Sequence, residues 1–188
     1  MKTMKKAVSL LLVVVLTAAF LSFAQAGEAF FNEESGITFT APSGYTARDN
    51  SNGDSYALII NRDNGNLDYH YVIEYNDDYA ERWLEDLDEE EIEALAQFYA
   101  DEEGDLLYTV QEAGGDSYLL LQNEDRTFGG VLSLFNGWMC LLYYEVDEGF
   151  EATDEAWNDV AKLQGGVKYA NEAGPAEADE DEEDEEDE

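Results

Sequence analysis

The first 26 residues decide how much of this 188-residue chain is left to fold. Lys2, Lys5 and Lys6 precede an apolar run from Ala7 to Phe23, and Ala24-Gln25-Ala26 ends the segment with an Ala-x-Ala spacing. A basic start, an apolar stretch and small residues at a cleavage site are typical of a secretory signal peptide. We therefore predict that residues 1–26 are removed on export and that the protein is secreted or extracytoplasmic.

An uncleaved membrane anchor is the alternative interpretation of this segment. The apolar run is slightly shorter than the ~20 residues that cross a bilayer. The first charges after it are Glu28, Glu33 and Glu34, whereas a stop-transfer signal would place Lys or Arg there. No cysteine lies at the cleavage point, which disfavours a lipoprotein.

The sequence after Ala26 is strongly acidic. It contains all 45 acidic residues but only six of the nine basic ones, so its net charge would be −39, against −36 for the whole chain. Such a surface excludes nucleic acids and anionic membranes as partners, because these need clusters of Lys and Arg. Divalent cations bound weakly, or a basic partner, remain compatible with this charge.

We predict one domain over residues 27–171 and a disordered acidic tail over residues 172–188. The tail holds 12 acidic residues and no basic one, with too little apolar surface to fold. Cys140 is the only cysteine, which rules out an intramolecular disulfide. Because Cys140 lies in an apolar run, we expect it to be a buried core residue.

The body of the chain has the pattern of an α+β fold, with strands, then a helical segment, more strands and a closing helix. The sequence Asp63-Asn64-Gly65-Asn66 lies between two β-prone runs and predicts a hairpin, as Asn136-Gly137 does later. Residues 77–103 have helical periodicity. Asp88 could cap a second helix there with Glu91 at its third position, so both one bent helix and two short helices fit. A last helix would begin at Thr153 or Asp154 and end at Gly165-Gly166.

Several short motifs occur in an order shared with a known family. Ile37 to Tyr45 reads as a strand followed by Pro-x-Gly-aromatic, and Gly115-x-Ser117-Tyr118 and Asn136-Gly137-Trp138 mark later strand pairs. Over about residues 33–170 the chain resembles the bacterial exported branch of the Mog1/PsbP-like family. The resemblance implies an α/β/α sandwich around an antiparallel sheet and an accessory or binding role without catalytic residues. No functional residue carries over from the family, and the glycine-rich end of the last helix (165–169) departs from its pattern.

No motif in the chain indicates a catalytic, cofactor-binding or metal-binding residue. His70 is the only histidine, and no nucleophile motif or phosphate-binding loop accompanies it. The loops 49–54 and 61–65 hold Asp and Asn, but their glycines are misplaced for an EF-hand. We expect most aromatic residues to be core, including Trp83, Phe98, Tyr99, Trp138 and Trp157. Tyr69, Tyr71, Tyr75, Tyr143 and Tyr144 are better candidates for a groove, because tyrosine tolerates a wet edge.

Three functions therefore remain open at this point. The first is a non-enzymatic exported binding or accessory module whose protein or small-molecule ligand is unknown. The second is a low-affinity extracytoplasmic Ca²⁺-binding protein. The third is a hydrolase with an unrecognised carboxylate site.

Overall fold

The computed structural model describes residues 27–52, 55–63, 65, 67–103, 106–146 and 153–169. The predicted signal peptide, the predicted acidic tail and parts of both candidate calcium loops fall outside these ranges. The strands of the first half are β1 (Ala29–Phe31), β2 (Thr38–Thr40), β3 (Tyr45–Asp49), β4 (Tyr56–Arg62) and β5 (Asp68–Tyr75). Helix α1 (Glu89–Glu103) then precedes β6 (Leu106–Ala113), β7 (Asp116–Asn123), β8 (Phe128–Phe135) and β9 (Trp138–Glu145), and α2 (Asp154–Gln164) precedes β10 (Val167–Lys168).

Seven of these strands form one antiparallel sheet in the order β3-β4-β5-β9-β8-β7-β6. Two of its hairpins, β4–β5 and β8–β9, are the ones that the sequence predicts. Asn136 and Gly137 both have positive φ, 49° and 83°, as a two-residue turn between twisted strands requires. The predicted β4–β5 hairpin is confirmed by a continuous pairing from Tyr56↔Ile73 to Asn61↔Asp68. The α+β prediction is thus confirmed.

Each face of the seven-stranded sheet has its own hydrophobic core. On the first face, helix α2 and a small sheet of β1, β2 and β10 cover Leu58, Tyr71 and Leu142. On the second face, α1 and the segment before it cover Leu119, Leu121 and other leucines of β7–β9. The strand predicted from Ile37 is confirmed as β2, but its pairing with β1 and β10 was not predicted, because strands of two or three residues leave no periodic signal.

Helix α1 begins one residue after Asp88, as the capping pattern predicts. The Asp88 Oδ1 atom accepts hydrogen bonds from the Glu90 and Glu91 N–H groups, both at 3.0 Å, and Glu91 Oε2 accepts from the Asp88 N–H at 2.9 Å. Together these bonds form a capping box.

The prediction of a helix is wrong for the segment before Asp88. Residues Asp77–Tyr79 and Leu84–Asp86 form 3-10 turns instead. Glu81 has φ 58°, which interrupts a right-handed helix, and the Arg82 carbonyl accepts a hydrogen bond from the Gly137 N–H. The helical spacing of Leu84 and Leu87 still buries both residues in the second core.

Candidate functional site

Helix α2 buries one carboxylate beneath the sheet. Asp159 lies on the apolar face of α2, among Ala156, Val160 and Leu163, and only 6% of its surface is exposed. The Tyr45 hydroxyl donates to its Oδ1 atom at 2.5 Å, and the Tyr69 hydroxyl donates to its Oδ2 atom at 2.7 Å. Three separate elements, β3, β5 and α2, therefore meet at this carboxylate.

Two basic side chains lie at the rim of this cluster. Arg62 Nη1 is 3.3 Å from Asp159 Oδ2 and also forms an ion pair with the exposed Glu155. The Lys162 ammonium lies 4.8 Å from the centroid of the Tyr45 ring, a cation–π contact. A buried carboxylate is stable only when it is paired and hydrogen-bonded, and this one has a guanidinium and two hydroxyls.

The two tyrosines act as hydrogen-bond donors in this arrangement. Burial, followed by the hydrogen bond to Asp159 and the negative charge of that carboxylate, raises the pKa of Tyr45 and of Tyr69 well above the usual value. Both hydroxyls therefore keep their protons over the physiological range. The cluster is suited to hold α2 in position over the sheet, since both carboxylate oxygens of Asp159 accept hydrogen bonds from other elements.

A cleft of about 950 Å³ opens next to this cluster, between the turn end of β4–β5 and the start of α2. Its walls combine apolar side chains, Leu67, Val146 and Ala156, with ionisable ones. The ionisable residues that line it are Arg62, Asp68, His70, Glu145, Glu155 and Asp159. With four carboxylates against one guanidinium and one imidazole, the cleft favours a positively charged ligand.

The imidazole of His70 adds little positive charge to the cleft. It stacks on the Tyr143 ring with the centroids 5.0 Å apart, on the face of β5 opposite Tyr69 and Tyr71, as the strand alternation predicts. Burial lowers its pKa, while Asp68 and Glu145 act in the opposite direction. A half-buried, stacked ring with a lowered pKa is consistent with a structural role for His70.

The described part of the chain contains no group of three or more His, Cys, Asp or Glu side chains placed to hold a metal ion. In the first candidate calcium loop, Asp49 Oδ1 instead accepts a hydrogen bond from the Ser51 N–H at 2.8 Å. In the second, the Asn61 amide donates to Asp68. Residues 53, 54 and 64 of these loops are outside the described ranges.

Cys140 is buried, as predicted, and burial raises the pKa of its thiol to about 12. It lies with Tyr71, Ser133 and Tyr169 in the first core, where the Tyr169 hydroxyl donates to Ser133 Oγ at 2.6 Å. A thiol with this pKa stays protonated and is a poor nucleophile.

The tyrosine groove that the sequence suggested is not one surface. Tyr69, Tyr71 and Tyr144 are buried in the first core, whereas Tyr75 is 47% exposed and packs against Trp138. Tyr143 is half-buried on the opposite face of the sheet.

The prediction that the larger aromatic residues belong to the core holds for only some of them. Trp157 is buried, and Trp83, Tyr99 and Trp138 are half-buried. The prediction of a core position is wrong for Phe98, which is 57% exposed on α1.

Sequence reasoning did not single out Asp159, although the signal is present. The residue is an acid placed among the apolar positions 156, 157, 160 and 163 of a predicted helix. An acid at such a position is buried with its helix face, so it needs partners from another element. The sequence does not show that the partners are tyrosines more than 80 residues away.

Comparison with known proteins confirms the PsbP-like resemblance at the level of the fold. The solution structure of cyanobacterial PsbP (CyanoP) from Synechocystis sp. PCC 6803 superposes with a TM-score of 0.50 at 14% sequence identity. The match covers 79% of this chain and 95% of that one. No protein-family model and no curated protein sequence matches the chain. Within the described residues, every helix is too short or too polar to span a bilayer.

Proposed function

We propose that this protein is an exported, non-catalytic binding or accessory module. The observation that carries the proposal is the engagement of Asp159 by Tyr45, Tyr69 and Arg62 beside the cleft. Both oxygens of this carboxylate accept hydrogen bonds and the residue is almost fully buried, which suits a structural acceptor better than a group that exchanges a proton with a substrate. The PsbP-like fold supports the same interpretation.

Export is the second part of the proposal, and it depends on the sequence of residues 1–26. After removal of this segment the module acts outside the cytoplasm, with residues 172–188 as an acidic arm that keeps it soluble and binds cations weakly. Mass spectrometry of the exported protein is expected to give a chain that begins at Gly27. A chain that keeps residues 1–26 would contradict this part.

The ligand that best suits the cleft is a cationic group on a small molecule or on a basic partner protein. The exposed carboxylates of Asp68, Glu145 and Glu155 lie on its wall, with Asp68 bonded to the Asn61 amide and Glu155 paired with Arg62. Glu145 is the most useful probe, since it is exposed and lines the cleft outside the Asp159 cluster.

The test is an NMR titration of residues 27–188 with spermidine at constant ionic strength. We expect amide shifts at residues 65–70 and 145–146, and we expect Glu145→Gln to weaken them about threefold or more, since it removes one nearby charge. Glu34→Gln, which removes an exposed charge elsewhere, is the matched control and should leave them unchanged. Shifts confined to residues 172–188, or equal effects of the two variants, would contradict a binding role for the cleft.

A further inference from the structure

The two faces of strands β3, β4 and β5 differ in how well they are covered. On the first face, Leu58 and Tyr71 are 0% exposed in the first core. The neighbouring residues Ala57, Ile59 and Val72 point to the second face and are each partly exposed. Within the part of the chain that the structure describes, the second core contains no residue of these three strands. We call their second face the open face.

The open face has the width of one α-helix. Neighbouring strands lie about 4.8 Å apart, so three strands present a face ~10–15 Å wide, and a helix with its side chains is about 10–12 Å across. On the other half of the same side of the sheet, α1 packs against β6 and β7. A second helix lying beside α1 would therefore complete this layer.

The open face carries a strip of apolar side chains that continues into the second core. Ala57 pairs directly with Val72 across β4 and β5, and Ile59 pairs with His70. The His70 ring stacks on Tyr143 of β9, which itself packs against the second core. Apolar side chains in such a strip gain free energy when another apolar surface removes them from water.

The charges around this strip are mostly acidic. Strand alternation places the exposed residues Asp68 and Glu74 of β5 and Glu145 of β9 on the same side of the sheet as the strip. Arg48 is the one basic residue that β3, β4 and β5 place on this side. Charge complementarity therefore favours a partner that carries Lys or Arg beside its apolar side chains.

The same charges disfavour two other occupants of the open face. Residues 172–188 contain 12 acidic residues and no basic one, so the tail would bring negative charge to an acidic rim. A second copy of the chain would carry a net charge of −39 after removal of residues 1–26 and would be repelled in the same way.

We propose that the open face binds a basic amphipathic helix of a partner protein, whose apolar stripe covers Ile59 and Val72. The proposal rests on the proposed cation-binding role of the cleft, because Asp68 and Glu145 belong both to the cleft and to the rim of the open face. Asp68 and Glu74 lie at opposite ends of β5, about 20 Å apart at ~3.3 Å per residue. A helix of about 13 residues spans this distance, with Lys or Arg near each of its ends.

The test compares two labelled peptides of about 18 residues with the same content of leucine and lysine. In the stripe peptide the leucines recur at helical spacing, and in the scrambled peptide the same residues form no stripe. Fluorescence anisotropy with residues 27–188 measures both affinities. We expect the stripe peptide to bind about tenfold more tightly or better, because it alone buries the apolar strip. Equal Kd values would mean that charge alone drives binding and would overturn the proposal.

A double variant, Ile59→Thr with Val72→Thr, tests the position of the stripe peptide. Threonine keeps the β-branched shape that suits a strand while replacing apolar surface by a hydroxyl. We expect this variant to bind the stripe peptide about fivefold more weakly or worse. Val110→Thr is the matched control, because Val110 is 43% exposed on β6 at the opposite edge of the sheet. Equal affinities of the double variant and the control would also overturn the proposal.

NMR titration of the unmodified residues 27–188 gives a readout that is independent of how the variants fold. The stripe peptide should shift the amides of residues 57–59 and 72–74, which spermidine should leave in place. Spermidine shifts in the cleft without peptide shifts on the open face would overturn the helix and leave the role of the cleft standing, whereas the absence of both would overturn both. Shifts at residues 57–59 caused by deleting residues 172–188, or by protein concentration alone, would identify the tail or a second copy as the occupant and would overturn the proposal as well.

Discussion

Asp159 shows how one residue joins distant parts of the chain. Its side chain receives hydroxyls from β3 and β5 and a guanidinium from the end of β4, so that α2 is held over the first face of the sheet. If Asp159 were removed, the two tyrosine hydroxyls would be buried without their acceptor, whereas the half-buried Arg62 would keep its ion pair with Glu155. The stability lost on removing Asp159 therefore depends mainly on the hydrogen-bonding groups that are left without a partner.

At this scale we predict that Asp159→Ala lowers the free energy of unfolding by about 3 kcal/mol, since it leaves two buried hydroxyls without their acceptor and removes one of the two partners of Arg62. Urea unfolding followed by fluorescence measures the change. Glu155→Ala is the control, because Glu155 pairs with the same Arg62 but its side chain is 63% exposed. We expect its effect to stay within about 0.5 kcal/mol, as for other surface ion pairs. Equal effects of the two variants would show that Asp159 is not a structural centre.

At the scale of elements, local sequence and tertiary contacts together determine where helix α1 begins and how the segment before it is held. Asp88 and Glu91 begin the helix by a capping box that is readable in the sequence. Arg82 then holds Glu91 from outside the helix, with both of its terminal nitrogens 2.7 Å from the two carboxylate oxygens. The ion pair fixes the segment before the helix against its first turn.

This ion pair predicts a dependence of stability on pH. The hydrogen bonds from Arg82, followed by that from the Asp88 N–H, lower the pKa of Glu91 from 4.5 to about 2. A carboxyl whose pKa is lowered by folding stabilises the protein above its unfolded pKa, and this contribution is lost as pH falls from about 4.5 to 2.

We expect Arg82→Gln to raise the pKa of Glu91 towards 4.5, measured by NMR titration of the side chain. It should also reduce stability at neutral pH and converge with the unmodified protein near pH 2. Lys168→Gln, which removes an exposed charge outside α1, should leave the titration of Glu91 in place. An unchanged pKa of Glu91 in Arg82→Gln would mean that the bidentate pair does not form in solution.

At the scale of the whole molecule, charge is the dominant property. Residues 27–171 contain 33 acidic and six basic residues, so the predicted domain alone carries −27. Self-repulsion of this size weakens the folded state at low salt. Because repulsion of this kind is reduced by any dissolved salt, we expect cations to act on stability by screening.

The corresponding prediction compares the thermal unfolding of residues 27–188 in Na⁺, Mg²⁺ and Ca²⁺ at matched ionic strength. The three salts should raise Tm alike, and deletion of residues 172–188 should leave Tm nearly unchanged. A Tm higher in Ca²⁺ by about 4 °C or more, roughly 1 kcal/mol for a domain of this size, would instead indicate a specific calcium site. The truncated chain would then show whether the tail holds that site.

The sequence alone determined the features that depend on residues close together in the chain. Alternating apolar residues and Asn-Gly turns determined the β4–β5 and β8–β9 hairpins, and Asp88 with Glu91 determined the start of α1, because these signals act over a few residues. The buried position of Cys140 follows from its apolar neighbours in the same way. Only the tertiary structure decided the 3-10 turns at 77–86, the three-stranded sheet and the cluster at Asp159. Each of these depends on contacts between residues far apart in sequence, whose energies outweigh the local preferences of the segments that they join.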